Sequence, residues 1–217
     1  MSDIMNYTVG WICAIPTEYD AAIGKHYIVI TIMPDGEYGT SSAASIVRDM
    51  LRSFPNIRVS LMVGISSGAL SLKHNIYLGD IIYNFSKTMQ DQSIFKRKPS
   101  LRKNYQRLDL SSDRLYQSTV TYSLKSEANC AEVCGNDPSK MILQPKRIKD
   151  EDNLTIYYGL IASGNQVIMN ASIQDALIRE RDVLCFEIEV AGLMNYFPCL
   201  VVRGICDYLD SHRDKEW

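Results

Sequence analysis

No stretch of the 217-residue chain approaches the roughly 18 consecutive apolar residues that a membrane-spanning helix needs. The N-terminal MSDIMNYTVG has no basic segment ahead of an apolar one, so it does not read as a secretory signal. Charge of one sign is scarce. The 23 Lys and Arg stand against 25 Asp and Glu, and a net charge of −2 gives no electrostatic case for nucleic acid or an anionic membrane surface. A G-x-G-x-x-G is absent, and with it the usual dinucleotide site. Three histidines, His26, His74 and His212, are isolated in sequence and form no catalytic or ligating cluster. Cys130 and Cys134 make a C-x3-C pair without a second pair nearby, whereas structural zinc generally takes four ligands. No metal and no cofactor are expected.

What is present fits one globular domain. Apolar residues make up 46% and charged residues 22% of a chain long enough to enclose a sizeable core. Of six cysteines, Cys13, Cys185, Cys199 and Cys206 lie in apolar runs, where a free thiol behaves as a small buried hydrophobe. That usage suits a reducing, cytoplasmic setting.

Residues 7–15, YTVGWICAI, alternate and then merge into an apolar run, which predicts a buried first strand. Pro16 ends it, Thr17 and Glu18 open a short helix, and a strand over 27–33 follows at once. Pro34-Asp35-Gly36 is turn chemistry. After Gly39, Thr40 or Ser41 is the predicted N-cap of an amphipathic helix. Its Ala43, Ile46, Val47, Met50, Leu51 and Phe54 follow the i, i+3, i+4, i+7 rule. Residues 57–65 predict a buried strand ending in a Gly/Ser turn, Gly64-Ile65-Ser66-Ser67-Gly68, which is not read as a nucleophile elbow. A further strand covers 76–85, with Gly79-Asp80 at a turn and Asp80 structural. From about 86 to 150 the chain turns polar and reads as an insertion carrying little core. Order returns with a strand over 154–163 and a short helix capped by Ser172.

The rest is organised around 183–212, VLCFEIEVAGLMNYFPCLVVRGICDYLDSH. This predicts strand, helix, strand, with Glu187 and Glu189 where the helix begins and Asp207 just past the second strand. In open α/β sheets, side chains at strand carboxyl ends line the ligand crevice, and acids at two such ends can converge on one small molecule. Spacing alone leaves a second reading open, in which Glu187 and Glu189 are solvated and Asp207 caps a helix.

FEIEVAG followed by VVRGICDYLDSH resembles the signature of the purine nucleoside phosphorylase/uridine phosphorylase superfamily. Within it the likeness is to the methylthioadenosine/S-adenosylhomocysteine nucleosidase branch and to nucleoside-phosphorylase-like domains of fungal proteins. It covers most of 7–88 and 154–217. The resemblance implies one three-layer α/β/α domain over 1–217 with a central mixed twisted sheet. That domain is shortened after Glu18, interrupted by the polar insertion, and stops before the long Ala-rich helix that family members carry. It also implies cleavage of the N-glycosidic bond of a purine nucleoside or nucleotide by a homo-oligomer.

The same resemblance distributes roles. Asp207 donates a proton to purine N7. Glu189, with Ile188 between the two acids, binds the ribose hydroxyls. Glu18, in a G-x-x-x-A-x-x-x-E pattern with Gly10 and Ala14, activates water, and Arg203 holds Glu18. Gly64, Ser66 and Ser67 lie beside the ribose and the nucleophile, where the two serines either narrow the pocket with their Cβ atoms or supply hydrogen bonds from their hydroxyls. Ser163, Asn165 and Gln166 face the base, and Val167 stands where an aromatic often stacks. Since no Arg occupies 64–68 and Glu18 would repel an anion, hydrolysis is favoured over phosphorolysis. The alternatives are a phosphate-dependent phosphorylase, or a catalytically weak nucleoside-binding or sensor module of a larger fungal protein.

Overall fold

The computed structural model describes residues 3–14, 27–34, 37, 39–69, 73–84, 114–117, 120, 135, 137–144, 155–164, 171–194 and 198–208. In chain order the described strands are β1 (Val9–Cys13), β2 (Ile28–Ile32), β3 (Val59–Gly68), β4 (Ile81–Asn84), β5 (Ile156–Tyr158), β6 (Leu160–Ser163), β7 (Val183–Glu187) and β8 (Leu200–Tyr208). The helices are α1 (Thr40–Ser53), α2 (Ala171–Arg181) and the single turn α3 (Val190–Met194). All eight strands belong to one mixed sheet. Its main order is β2-β1-β3-β8-β4-β5, and β7 joins β3 to β6. β3 and β8 run parallel in the centre, while β7 against β3 and β4 against β8 are antiparallel.

Strand alternation sends side chains to the two faces. On β7, Cys185 joins the larger core with Ile12, Met62, Ile82, Val201 and Ile205, whereas Phe186 joins a second cluster with Ala69, Ile178 and Val183. α1 covers the first core through Ala43, Val47 and Met50, the stripe that its spacing predicts. α2 lies against the second through Ile178. This is the layered α/β architecture the sequence implies.

Several boundaries differ from the expectation, each for a physical reason. The stretch 64–68 is no turn: β3 continues to Gly68 because β8 pairs with it throughout and β7 adds to Ser67 and Gly68. Letter by letter the stretch does satisfy G-x-S-x-G. A nucleophile elbow also needs a sharp strand-to-helix turn, and Ser66 instead sits in mid-ladder and is buried. β8 likewise reaches Tyr208, so Asp207 lies within a strand and not just past it. The residue before Thr40, Gly39, is the N-cap of α1, and it offers no side-chain bond. Ser172 lies inside α2, which starts at Ala171. The polar insertion supplies more core than expected: Leu115 joins the main cluster, and buried Tyr116 bridges to Met141.

Asp80 is structural, as the sequence suggests. Its carboxylate accepts from the N–H groups of Tyr77 (2.9 Å) and Thr155 (3.1 Å), tying the turn before β4 to the start of β5. Gly79 holds φ at 85°, a left-handed value that disfavours a side chain, and its N–H donates to the Ile205 carbonyl at 2.7 Å. The Asp80 carbonyl accepts from Ile205 N–H at 2.9 Å, so this turn is fastened to β8 close to Arg203.

α3 meets the start of α1 at bare backbone. A Cβ built on Gly192 would lie 1.9 Å from the Thr40 carbonyl oxygen, a distance that neither backbone can tolerate. The helix that follows Glu189 is therefore seated by the absence of a side chain. Gly192→Ala is expected to destabilise the domain by about 1–3 kcal/mol, typical of overpacking, seen as a lower denaturation midpoint at unchanged m-value.

Candidate functional site

The chain after β7 bends sharply, with Glu187 as the last strand residue, Ile188 and Glu189 in the bend, and Val190 opening α3. A helix start leaves N–H groups without intrahelical partners. Here the Glu187 carboxylate accepts from Glu189 N–H and Val190 N–H, each at 3.0 Å. Ser163 Oγ, at the end of β6, accepts from Ala191 N–H at 2.8 Å. Gly164 N–H returns to the Glu187 carbonyl at 3.2 Å. The Ser163 hydroxyl is thus committed to holding this turn, which leaves the base contact that the resemblance implies here to the backbone.

Arg203 completes the arrangement from β8. Its neighbour across the ladder is Gly64 of β3, and β7 lies on the far side of β3. Two strand spacings separate β8 from β7, roughly 10 Å, a span that the long Arg203 side chain and the two carboxylates close between them. Its Nη2 donates to Glu187 Oε2 at 2.6 Å and to Glu189 Oε2 at 3.2 Å. All three groups are buried, with side-chain exposures of 1%, 1% and 8% for Arg203, Glu187 and Glu189. This removes the reading in which the two acids are solvated.

The geometry is a shared contact, not a fork. Both carboxylates draw on one guanidinium nitrogen, and Arg203 Nε, also buried, has no hydrogen-bond partner among the described residues. Among the described residues the cluster sets two carboxyls against one guanidinium in a buried setting. Burial, opposed by the Arg203 charge and aided by Glu187, pushes the Glu189 carboxyl up to about 7. Burial likewise pushes the nearby thiols of Cys185 and Cys199 up to about 12 and about 11, so neither is a thiolate nucleophile.

Asp207 occupies a different place. The β3–β8 register slips by one residue, pairing Ser66 with Ile205 but Ser67 with Asp207, so Cys206 is the extra residue of a bulge. Burial along β8 follows the slip: Ile205 and Tyr208 are buried, Cys206 and Asp207 half-buried. Unbroken alternation would leave Asp207 on the Arg203 face; the bulge sets it beside Ser67 instead. Ser66 keeps to the face of Arg203 and Cys185. Of the other sequence candidates, Ile188 is half-buried in the bend, while Glu18, Asn165, Gln166 and Val167 lie outside the described residues. The structure therefore unites Arg203 with Glu189, and adds Glu187, an acid to which the sequence reading gave no role. The signal was there: a carboxylate just ahead of a helix start is a capping residue. A cavity of about 360 Å³ beside Tyr83, Asn84, Tyr158, Gly159 and Leu160 contains none of these groups. Among the described residues no cluster could hold a metal ion.

Comparison with known proteins places the fold. No family model matches the sequence. A nucleotide-binding leucine-rich repeat (NLR)-like protein of Hyaloscypha variabilis is 32% identical over 274 aligned residues, covering 97% of this chain and 27% of the relative. The chain spans about a quarter of the length of that curated relative. Among solved structures, futalosine hydrolase of Helicobacter pylori is 15% identical with a TM-score of 0.53, covering 96% of this chain and 88% of that one. The 5′-methylthioadenosine/S-adenosylhomocysteine nucleosidase of the same organism, solved with butyl-thio-DADMe-Immucillin-A, gives the same four values. Its Campylobacter jejuni counterpart is 14% identical at a TM-score of 0.51, with 97% and 89% covered. The chain has the fold of these nucleosidases, matching the resemblance carried by FEIEVAG and VVRGICDYLDSH.

Two outcomes follow from the buried cluster. A folded-state carboxyl raised above its ordinary value of 4.5 keeps its proton where the unfolded chain has lost it. The contribution of Glu189 to stability therefore falls as pH rises from about 4.5 to about 7 and is level above that. Glu189→Gln should remove this slope, read as the difference between wild-type and variant unfolding free energies across that window. Arg203→Met strands two buried carboxylates and should cost about 3–5 kcal/mol at pH 8, measured by urea denaturation.

Proposed function

We propose that this domain is a purine nucleosidase-like hydrolase that cleaves the N-glycosidic bond of a purine nucleoside or nucleotide. The observation that carries the reading is the buried Glu187–Arg203–Glu189 cluster at the bend after β7. A carboxylate there accepts hydrogen bonds from sugar hydroxyls and stabilises the positive charge that develops on the ring as the base departs. Asp207, at the bulge near the end of β8, is the proton donor to the leaving base. In the reaction the C1′–N bond breaks, its electron pair goes to the base, which takes a proton from Asp207, and a water oxygen bonds to C1′. The proton lost by that water goes to Glu18, and exchange with solvent resets both acids.

Water is favoured over phosphate because the described part of the site carries two carboxylates against one guanidinium. An anionic nucleophile would meet net repulsion once Glu189 ionises. A second reading, a nucleoside-binding sensor module, is favoured by the NLR-like relative, of which this chain matches about a quarter. Under either reading the ligand is the same small molecule, and the domain works within a homo-oligomer in the cytoplasm.

The deciding assay follows base release from adenosine, inosine, guanosine, methylthioadenosine and ATP, with and without phosphate. Release independent of phosphate, reduced at least about 100-fold by Asp207→Ala as for loss of a general acid, is expected. Release only with phosphate would establish a phosphorylase. Saturable binding without release by the folded protein would establish the sensor module.

A further inference from the structure

We propose that Glu187 is a positioning residue for the sugar-facing carboxylate, fixing the turn that carries Glu189 and limiting how strongly Arg203 can hold it. The proposal rests on the nucleosidase reading for the meaning of Glu189, but its geometry stands apart from that reading. Glu187 receives the shorter of the two bonds from Arg203 Nη2, 2.6 Å against 3.2 Å for Glu189. It also accepts from the backbone N–H of Glu189 itself, so one carboxylate sets both the position of Glu189 and its claim on the guanidinium. The third bond, from Val190 N–H, fixes the axis on which α3 begins.

The surroundings leave few other groups to share the task. Among the described residues Glu189 is faced by Arg203 from β8 and Glu187 from β7, with the thiols of Cys185 and Cys199 close to the same pair. β3 contributes Gly64 and Ser66, which carry no charge, and β6 contributes Ser163, whose hydroxyl is engaged with Ala191 N–H. From α1, Thr40 meets α3 at Gly192 through backbone. Were Glu187 uncharged, Arg203 would pair fully with Glu189. The carboxylate would then be ionised more easily but held more tightly away from a sugar. Glu187 thus keeps Glu189 in reserve, a weak partner of Arg203 that a ligand's hydroxyls can draw off.

The test separates charge from shape with two variants, read by carbon-13 NMR titration of the Glu189 carboxyl and by steady-state kinetics. Glu187→Gln keeps an acceptor oxygen but removes the charge. The Glu189 titration should move to lower pH by about one unit or more, and the acid limb of kcat/KM should move with it. Glu187→Asp keeps the charge but draws the carboxylate back from the N–H groups of Glu189 and Val190. The midpoint should then stay near that of wild type while KM rises about tenfold with kcat less affected. An unmoved midpoint in folded Glu187→Gln overturns the proposal, as does wild-type KM in Glu187→Asp. If Glu187→Gln does not fold, the Glu187→Asp result decides. A moved midpoint in a protein that releases no base would sink the nucleosidase reading and leave the positioning role intact, now read through the affinity for adenosine in both variants.

Discussion

One guanidinium reaching across a strand to two acids is the constraint on which this structure depends. Arg203 must be long enough to reach from β8 towards β7, and the bend after β7 must deliver Glu187 and Glu189 to the same nitrogen. Buried ion pairs are weak contributors to stability, because desolvation offsets most of the attraction. Here the geometry is poorer still for stability, with two acids on one nitrogen and a buried Nε that has no partner among the described residues. An apolar trio would suit a core of Met62, Ile82, Val201 and Ile205 better. A cluster that costs stability in the middle of the sheet is what a site demands and a scaffold does not.

The scaffold around it is correspondingly over-determined. Asp80 and Gly79 fasten the turn before β4 to Ile205 with two backbone bonds, holding the segment of β8 that bears Arg203. Ser163 and Glu187 between them satisfy the first N–H groups of α3, so the acid-bearing bend cannot relax without losing three hydrogen bonds. Gly192 lets α3 rest on the α1 backbone. Each contact fixes main chain, which is how a precise side-chain arrangement is kept when its own charges oppose it.

Much of this was legible in the sequence, and the parts that were not share a cause. The strand–helix–strand reading of 183–208 and the amphipathic face of α1 came from periodicity, a local property of neighbouring residues. What periodicity cannot register is pairing between distant strands. The extension of β3 through Ser66 and Ser67 depends on β8 and β7, and the bulge at Cys206 exists only relative to β3. Glu187 stands out in the sequence without a role, because its meaning lies in a partner on another strand. The core role of Leu115 escaped for the same reason, lying as it does in a polar segment whose composition argues for solvent.

The bulge also bears on how the chemistry is divided. Arg203 of β8 meets Glu189 of the bend after β7, whereas Asp207 stands with Ser67 after the slip in register. Under the proposed function, a ligand that bridges such groups lies across the end of the strand, with its sugar towards the bend after β7 and its base towards the bulge. That orientation separates the two acids by function: one buried beside a guanidinium and raised towards neutrality, the other half-buried on a strand that can present it to a base.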